Sequence, residues 1–189
     1  MTTRRPFAAL AALAALALAV AGCSSGDRVD ETEGGVILSV SDFDGLPIQV
    51  SVNALGFPPL VTVEEIVIDN LPKDPNGEVS DLMNVEMRSY EVVYTRLDTG
   101  TRTPTPLVSS IFGVAPVGGQ ITYDNLPILT TEQLTNPPLE DLLIENGGID
   151  AETGGRVITL ELRVRFFGRT LTGDDVATAP IRFDIEFVP

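Results

Sequence analysis

The chain has 189 residues, with 12 Lys and Arg against 27 Asp and Glu, a net charge of −15. Such acidity argues against binding nucleic acid, which needs phosphate-neutralising Lys and Arg, and against lying flat on anionic lipid. The absence of His removes the usual general base, nucleophile activator and zinc ligand, the absence of Trp weakens a sugar-stacking platform, and the lone Cys23 closes no internal disulfide.

Arg4 and Arg5 begin the chain with positive charge, and Phe7 to Ala21 is an apolar run of 15 residues. This is the layout of a secretory signal, and it falls short of the roughly 20 residues a spanning helix needs. The junction Val20-Ala21-Gly22-Cys23 resembles the lipobox of bacterial lipoproteins, an aliphatic residue and two small ones before Cys. That resemblance implies cleavage after Gly22, so that residues 1–22 are a lipoprotein signal peptide. It also implies a diacylglycerol on the Cys23 thiol and an acylated new N-terminus. Each buried CH₂ of such chains contributes about 0.8 kcal/mol, so several acyl chains anchor the protein to the membrane. In the same family Ser24 favours the outer membrane where the host is Gram-negative.

Cleavage leaves 167 residues, a size that suits one domain, or two small ones, without a structural metal. With Arg4 and Arg5 gone, ten basic residues face 27 acids, a charge of −17. Residues 23–35 read as the lipidated Cys and a Ser-, Gly-, Asp- and Glu-rich flexible tether. A dozen such residues reach about 20 Å.

Strand signals begin at Val36. Val36 to Val40 is a β-rich run, and Asp42 to Pro47 carries turn chemistry. Ile48, Val50 and Val52 alternate with Gln49, Ser51 and Asn53, as in a half-buried strand. Val61 and Val63 keep one phase while Ile66 and Ile68 keep the other, which predicts a bulge at Glu64-Glu65. Residues 69–77 form a polar turn. Val85 to Leu97 predicts a bent strand, with Tyr90, Val92 and Tyr94 on one face. Asp98-Thr99-Gly100 is a tight turn. Ile111–Val117 and Gln120–Tyr123 suggest two shorter strands. Asp124-Asn125-Leu126-Pro127 repeats Asp69-Asn70-Leu71-Pro72, and an Asx-type turn before Pro explains both.

Within 131–143, Pro138 predicts the start of one short helix carrying Leu139, Leu142 and Leu143. Alternation over Ile158–Phe167 and Ile181–Phe187, with a turn at Gly173-Asp174, predicts a long antiparallel hairpin. Arg163 and Arg165 are expected to face Asp184 and Glu186 across it. About seven strands and almost no helix predict an all-β fold with a single domain over 36–189, an antiparallel two-sheet sandwich.

Tyr90 to Arg96, the turn at 98–100, Pro138-Leu139 with Leu142, and Val164 to Arg169 before an apolar last strand resemble a group of uncharacterised bacterial lipoproteins. The resemblance implies an immunoglobulin- or fibronectin-III-like sandwich at the cell envelope. It implies no activity and no site residues.

Two stretches carry fragments of calcium loops: Asp42-x-Asp44-Gly45, and the set Asp74, Asn76, Glu78 and Asp81. Neither has the full EF-hand spacing. Tyr90, Tyr94 and Tyr123 are the candidates for stacking on a glycan. Catalysis has little material. Lys73 is the only lysine, and the adjacent acids Glu64-Glu65, Glu140-Asp141 and Asp174-Asp175 point to opposite sides of an extended backbone. The expectation is a non-catalytic, lipid-anchored envelope module with a structural or protein-interaction role. Its partners are the membrane, through the anchor, and an envelope protein rather than nucleic acid. A calcium- or glycan-binding module is the alternative.

Overall fold

The structure is a computed structural model that describes residues 35–56 and 59–189. The expected signal peptide, Cys23 and the expected tether up to residue 34 lie outside the described residues. Nine strands are present: β1 (Val36–Asp44), β2 (Gln49–Ser51), β3 (Val61–Pro72), β4 (Val85–Arg96), β5 (Leu107–Ala115), β6 (Gly119–Leu129), β7 (Ile158–Thr170), β8 (Asp175–Ala177) and β9 (Ile181–Val188). One sheet has the order β1-β3-β6 and the other β2-β9-β7-β4-β5, with β8 on β7. With β1, β3 and β6 facing β4, β7 and β9, and β5 added beside β4, this is the strand order of an immunoglobulin-like sandwich.

The nine segments fill seven strand positions. β1 and β2 are one chain path handed between sheets. Asp44 ends β1, Gly45 takes a positive φ of 68° and Pro47 follows. The chain does not reverse there, so β2 meets β9 in parallel, with Gln49 opposite Glu186. An all-antiparallel sandwich is corrected by this one pair. β8 and β9 are likewise a single interrupted strand along β7. At the break, the Phe166 amide donates to the Thr178 hydroxyl, and the Thr178 amide donates to the Phe166 carbonyl.

β7 has strict alternation, burying Ile158, Leu160, Leu162, Val164 and Phe166. These pack against Tyr90, Val92 and Tyr94 of β4 and against Ile66, Ile68 and Ile128 of the smaller sheet in one core. The Tyr90 hydroxyl donates to the Pro127 carbonyl and the Tyr94 hydroxyl to the Ile128 carbonyl, each at 2.7 Å. The two tyrosines thus tie the larger sheet to β6 through the core.

Several local expectations change. β1 runs on through Asp42–Asp44, with its bulge at Ser41, because it pairs with β3 as far as Glu65. Glu64 and Glu65 are both exposed where the burial phase flips, but the β3–β6 register is continuous there and shifts at Val61/Thr62. The flip is accommodated by the partners: Ser41 on one side and Asn125, at φ 52°, on the other. Both Asp-Asn-Leu-Pro segments lie in strands, β3 and β6, rather than in turns. The bend in β4 is an extra residue, Arg88, against β7. Arg163 sits opposite Arg182 and Val93, while Asp184 faces Glu161, so the expected Arg–acid pairing is out of register by two residues, on the same face.

Pro138 does open a short helix, a 3-10 turn over Leu139–Leu142 that carries Leu139 and Leu142, but it is one of three separate turns in this connection. These are the α-helix α1 (Thr131–Leu134) and 3-10 turns at Leu139–Leu142 and Ile144–Asn146. Pro137 and Pro138 lack the N–H groups a continuous helix requires. Gln133 Oε1 accepts from the amide and hydroxyl of Thr130, which starts α1. Leu134, Leu139 and Leu142 are buried and close one end of the core.

Tyr94→Phe removes the only donor that reaches the Ile128 carbonyl from across the core, and is expected to lower stability by about 1–2 kcal/mol in urea unfolding. Tyr123→Phe should cost under about 0.5 kcal/mol, since that hydroxyl makes only a long contact, 3.4 Å, to the exposed Phe112.

Candidate functional site

The densest charged cluster of the described residues lies at the end of β4. Arg96 continues the inward phase of Tyr90, Val92 and Tyr94, so its guanidinium is carried into the protein. Its side chain is 2% exposed and that of Asp150 is fully buried. Arg96 donates to both oxygens of Asp98, at 2.7 and 2.8 Å, and to Asp150 Oδ2 at 3.0 Å. Asp98 reaches it from the turn that follows β4, and Asp150 from the long connection before β7. Gly100 packs on the guanidinium, where a Cβ would collide with Arg96 Cζ.

The cluster continues outward. Arg102 Nη2 bonds Asp141 Oδ2 at 2.6 Å and Asp150 Oδ1 at 3.3 Å. Glu152 accepts from the amides of Thr101 and Arg102, and Asp150 accepts from the Thr153 amide and hydroxyl. Burial works against the charged form of Asp150. The Thr153 hydroxyl, the Arg96 guanidinium and the amides of Glu152 and Thr153 outweigh it and hold the carboxyl at about 2, against an ordinary 3.8. Burial also opposes charge on Asp98, and Arg96 with the Gly100 amide overcomes it, so that carboxyl is lowered too. Every strong acceptor here is matched to a donor in the fold. The arrangement pins the 98–102 turn and the 139–155 connection to the sandwich. It is a structural clamp, with no free nucleophile and no unpaired acid.

The sequence-derived candidates are dispersed. Asp74, Asn76, Glu78 and Asp81 are all exposed; the Asp74 carboxylate accepts the Asn76 amide as a turn former, and Asp81 sits in a 3-10 turn started by Ser80. Asp42 and Asp44 are in β1, and each accepts the next residue's amide. Among the described residues, no three Asp, Glu or Cys side chains gather as a metal-ligand set. Tyr90 and Tyr94 are in the core, so they offer no glycan platform. Tyr123 stacks on Phe166, and burial raises its hydroxyl to about 12. Of the acid pairs, Asp141 holds Arg102 and Asp175 holds Arg169 at 2.7 Å. Cys23, the expected lipidation site, lies outside the described residues.

What remains unspent is a surface. β5 is an edge strand of the larger sheet. Its outward residues Val108, Phe112 and Val114 are 67%, 85% and 51% exposed. The neighbouring β4 presents Glu86 opposite Val114 and Glu91 opposite Val108. This apolar row was hidden from sequence reasoning, because Val, Ile and Phe in a strand also spell a core.

No protein-family model matches the chain. No curated protein and no solved structure is similar to it either.

Asp150→Ala leaves Arg96 buried with one carboxylate instead of two and should cost about 3 kcal/mol or more in chemical unfolding. In the wild type, the stability Asp150 contributes is present above its unfolded value of 3.8 and is lost as pH falls through about 2. An acid titration followed by circular dichroism should therefore show the wild type losing stability between about pH 4 and 2 more steeply than the Asp150→Ala variant.

Proposed function

We propose that this protein is a lipid-anchored, non-catalytic module of the bacterial cell envelope that acts by binding protein. One observation carries the interaction part of the reading: the apolar row Val108, Phe112 and Val114 on an edge strand of an otherwise heavily acidic chain. The core tyrosine hydroxyls and the Arg96 cluster support it by being committed to the fold, while Asn70 Oδ1 and Arg163 Nε are buried without a partner among the described residues. The core tyrosines bridge the sheets, and Arg96 is shared between the Asp98 and Asp150 carboxylates.

The anchoring part rests on Val20-Ala21-Gly22-Cys23 and on the geometry of attachment. The described body starts at Gly35, twelve residues beyond Cys23. Gly35 is at the end of the sandwich that holds Pro72, Met83 and Lys73, since its carbonyl accepts the Lys73 amide. β5 runs along the side of the body from this end, reaching it at Ala115 opposite Val85.

Cys23→Ser in the full chain removes the thiol that would be acylated. The expected result is a shift of the protein from the membrane pellet to the soluble fraction after cell breakage. Unchanged membrane fractionation would overturn the anchor.

A further inference from the structure

We infer that the end of the sandwich at Gly35 seats on the bilayer surface through Val79, Leu82 and Leu171, so that the body stands end-on to lipid. This goes beyond the protein-binding surface on β5, and it rests on the anchor reading above.

Val79 and Leu82 lie in the connection between β3 and β4, and Leu171 in the turn from β7 to β8. They are 59%, 55% and 51% exposed. The two loops meet, because the Leu171 amide donates to the Asn84 carbonyl at 3.0 Å. Leu82 belongs to the 3-10 turn Asp81–Met83, which Ser80 caps and which has no buried residue. Gly35 enters beside this turn, since a Cβ on it would lie 3.3 Å from Met83 Cε. Three apolar side chains are therefore held on adjoining loops where the chain from Cys23 arrives. A single exposed Leu is ordinary, whereas apolar groups collected on neighbouring loops mark a contact surface.

Chain length selects lipid as the occupant. Cys23 and Gly35 are twelve residues apart. That stretch spans about 40 Å at full extension. β7 runs the length of the body in 13 residues, which is also about 40 Å. Leu97 and Val157 are exposed at the opposite end. They meet an anchored bilayer only with the connecting stretch drawn out along the whole body. The loops at Gly35 meet it with length to spare, so lipid is at high effective concentration for this end and not for the other.

Charge sets the kind of lipid. Asp74, Glu78, Asp81 and Asp174 stand in the same two loops, with Lys73. The acids repel an anionic surface and leave a zwitterionic one as the fitting partner. Apolar side chains that enter its headgroup region bind through the apolar area they bury.

The test uses the full chain, purified from membranes and reconstituted in phosphatidylcholine vesicles. Cys23 is the only cysteine and carries the lipid in this reading, so Leu82→Cys adds one free thiol for a fluorophore. Leu97→Cys puts the same label in place of a Leu at the opposite end. Nitroxides on the lipid acyl chains quench on contact. Quenching at position 82 is expected to be several-fold stronger than at 97, and to weaken when phosphatidylglycerol replaces part of the lipid. Val79→Asp with Leu171→Asp should abolish the difference while the protein still floats with the vesicles. Both residues are exposed, so the fold is retained, as an unchanged melting temperature would verify. Equal quenching at 82 and 97 overturns the seating and leaves the anchor standing. So does a difference that survives the two Asp substitutions, or one that grows with phosphatidylglycerol. A label at 82 that the nitroxides leave bright, but that whole cell membranes shield from iodide, would put a protein on these loops and overturn the seating too. Protein that does not float with the vesicles overturns the anchor, and the seating falls with it.

Discussion

Leu160, Leu162, Val164 and Phe166 enter the sandwich from β7, the central strand of the larger sheet. Strict period-two burial along 13 residues leaves β7 one register, because a slip of one residue would turn that row to water and bring Arg163 and Arg165 inside. β4 inherits its position from this register, and with it the inward phase of Tyr90, Val92, Tyr94 and Arg96. The tyrosine hydroxyls then reach β6, which holds the smaller sheet at a set distance. The same phase delivers a guanidinium to the end of the core, and that charge dictates what the following loops must supply.

The loops answer that demand in sequence order. Asp98 arrives two residues later in a tight turn. Asp150 arrives from a connection that has already plugged the core with Leu134, Leu139 and Leu142. A buried ion pair is weak evidence of net stability, since desolvation offsets most of its attraction. Its value here is positional. Losing either Asp98 or Asp150 leaves the buried Arg96 charge undercompensated, which favours the one arrangement of the two loops that brings both acids in.

The outside of the molecule follows a different logic. A chain this acidic stays soluble and repels its own kind over long distances. Against that background an uncharged, apolar edge is selective.

Period-two alternation made the C-terminal hairpin, the core faces of β4 and β7 and the all-β class readable in advance, since side-chain direction in a strand is a local property. The phase change at Glu64-Glu65 was also readable as exposure. Its structural answer was not, because Ser41 and Asn125 sit on other strands that absorb the strain. Arg96 was legible in principle, as the next inward position after Tyr94, and a buried guanidinium always needs acids. Which acids could not be foreseen, because Asp150 is more than fifty positions away and is brought in by a connection that holds three separate turns rather than one. The parallel pairing of β2 and the two-residue offset of Arg163 depend on how strands are shared between sheets. Spacing along a chain carries no information on that. Whether Val108 and Phe112 face core or water was likewise settled by which strands lie beside them, and β5 has a neighbour on one side alone.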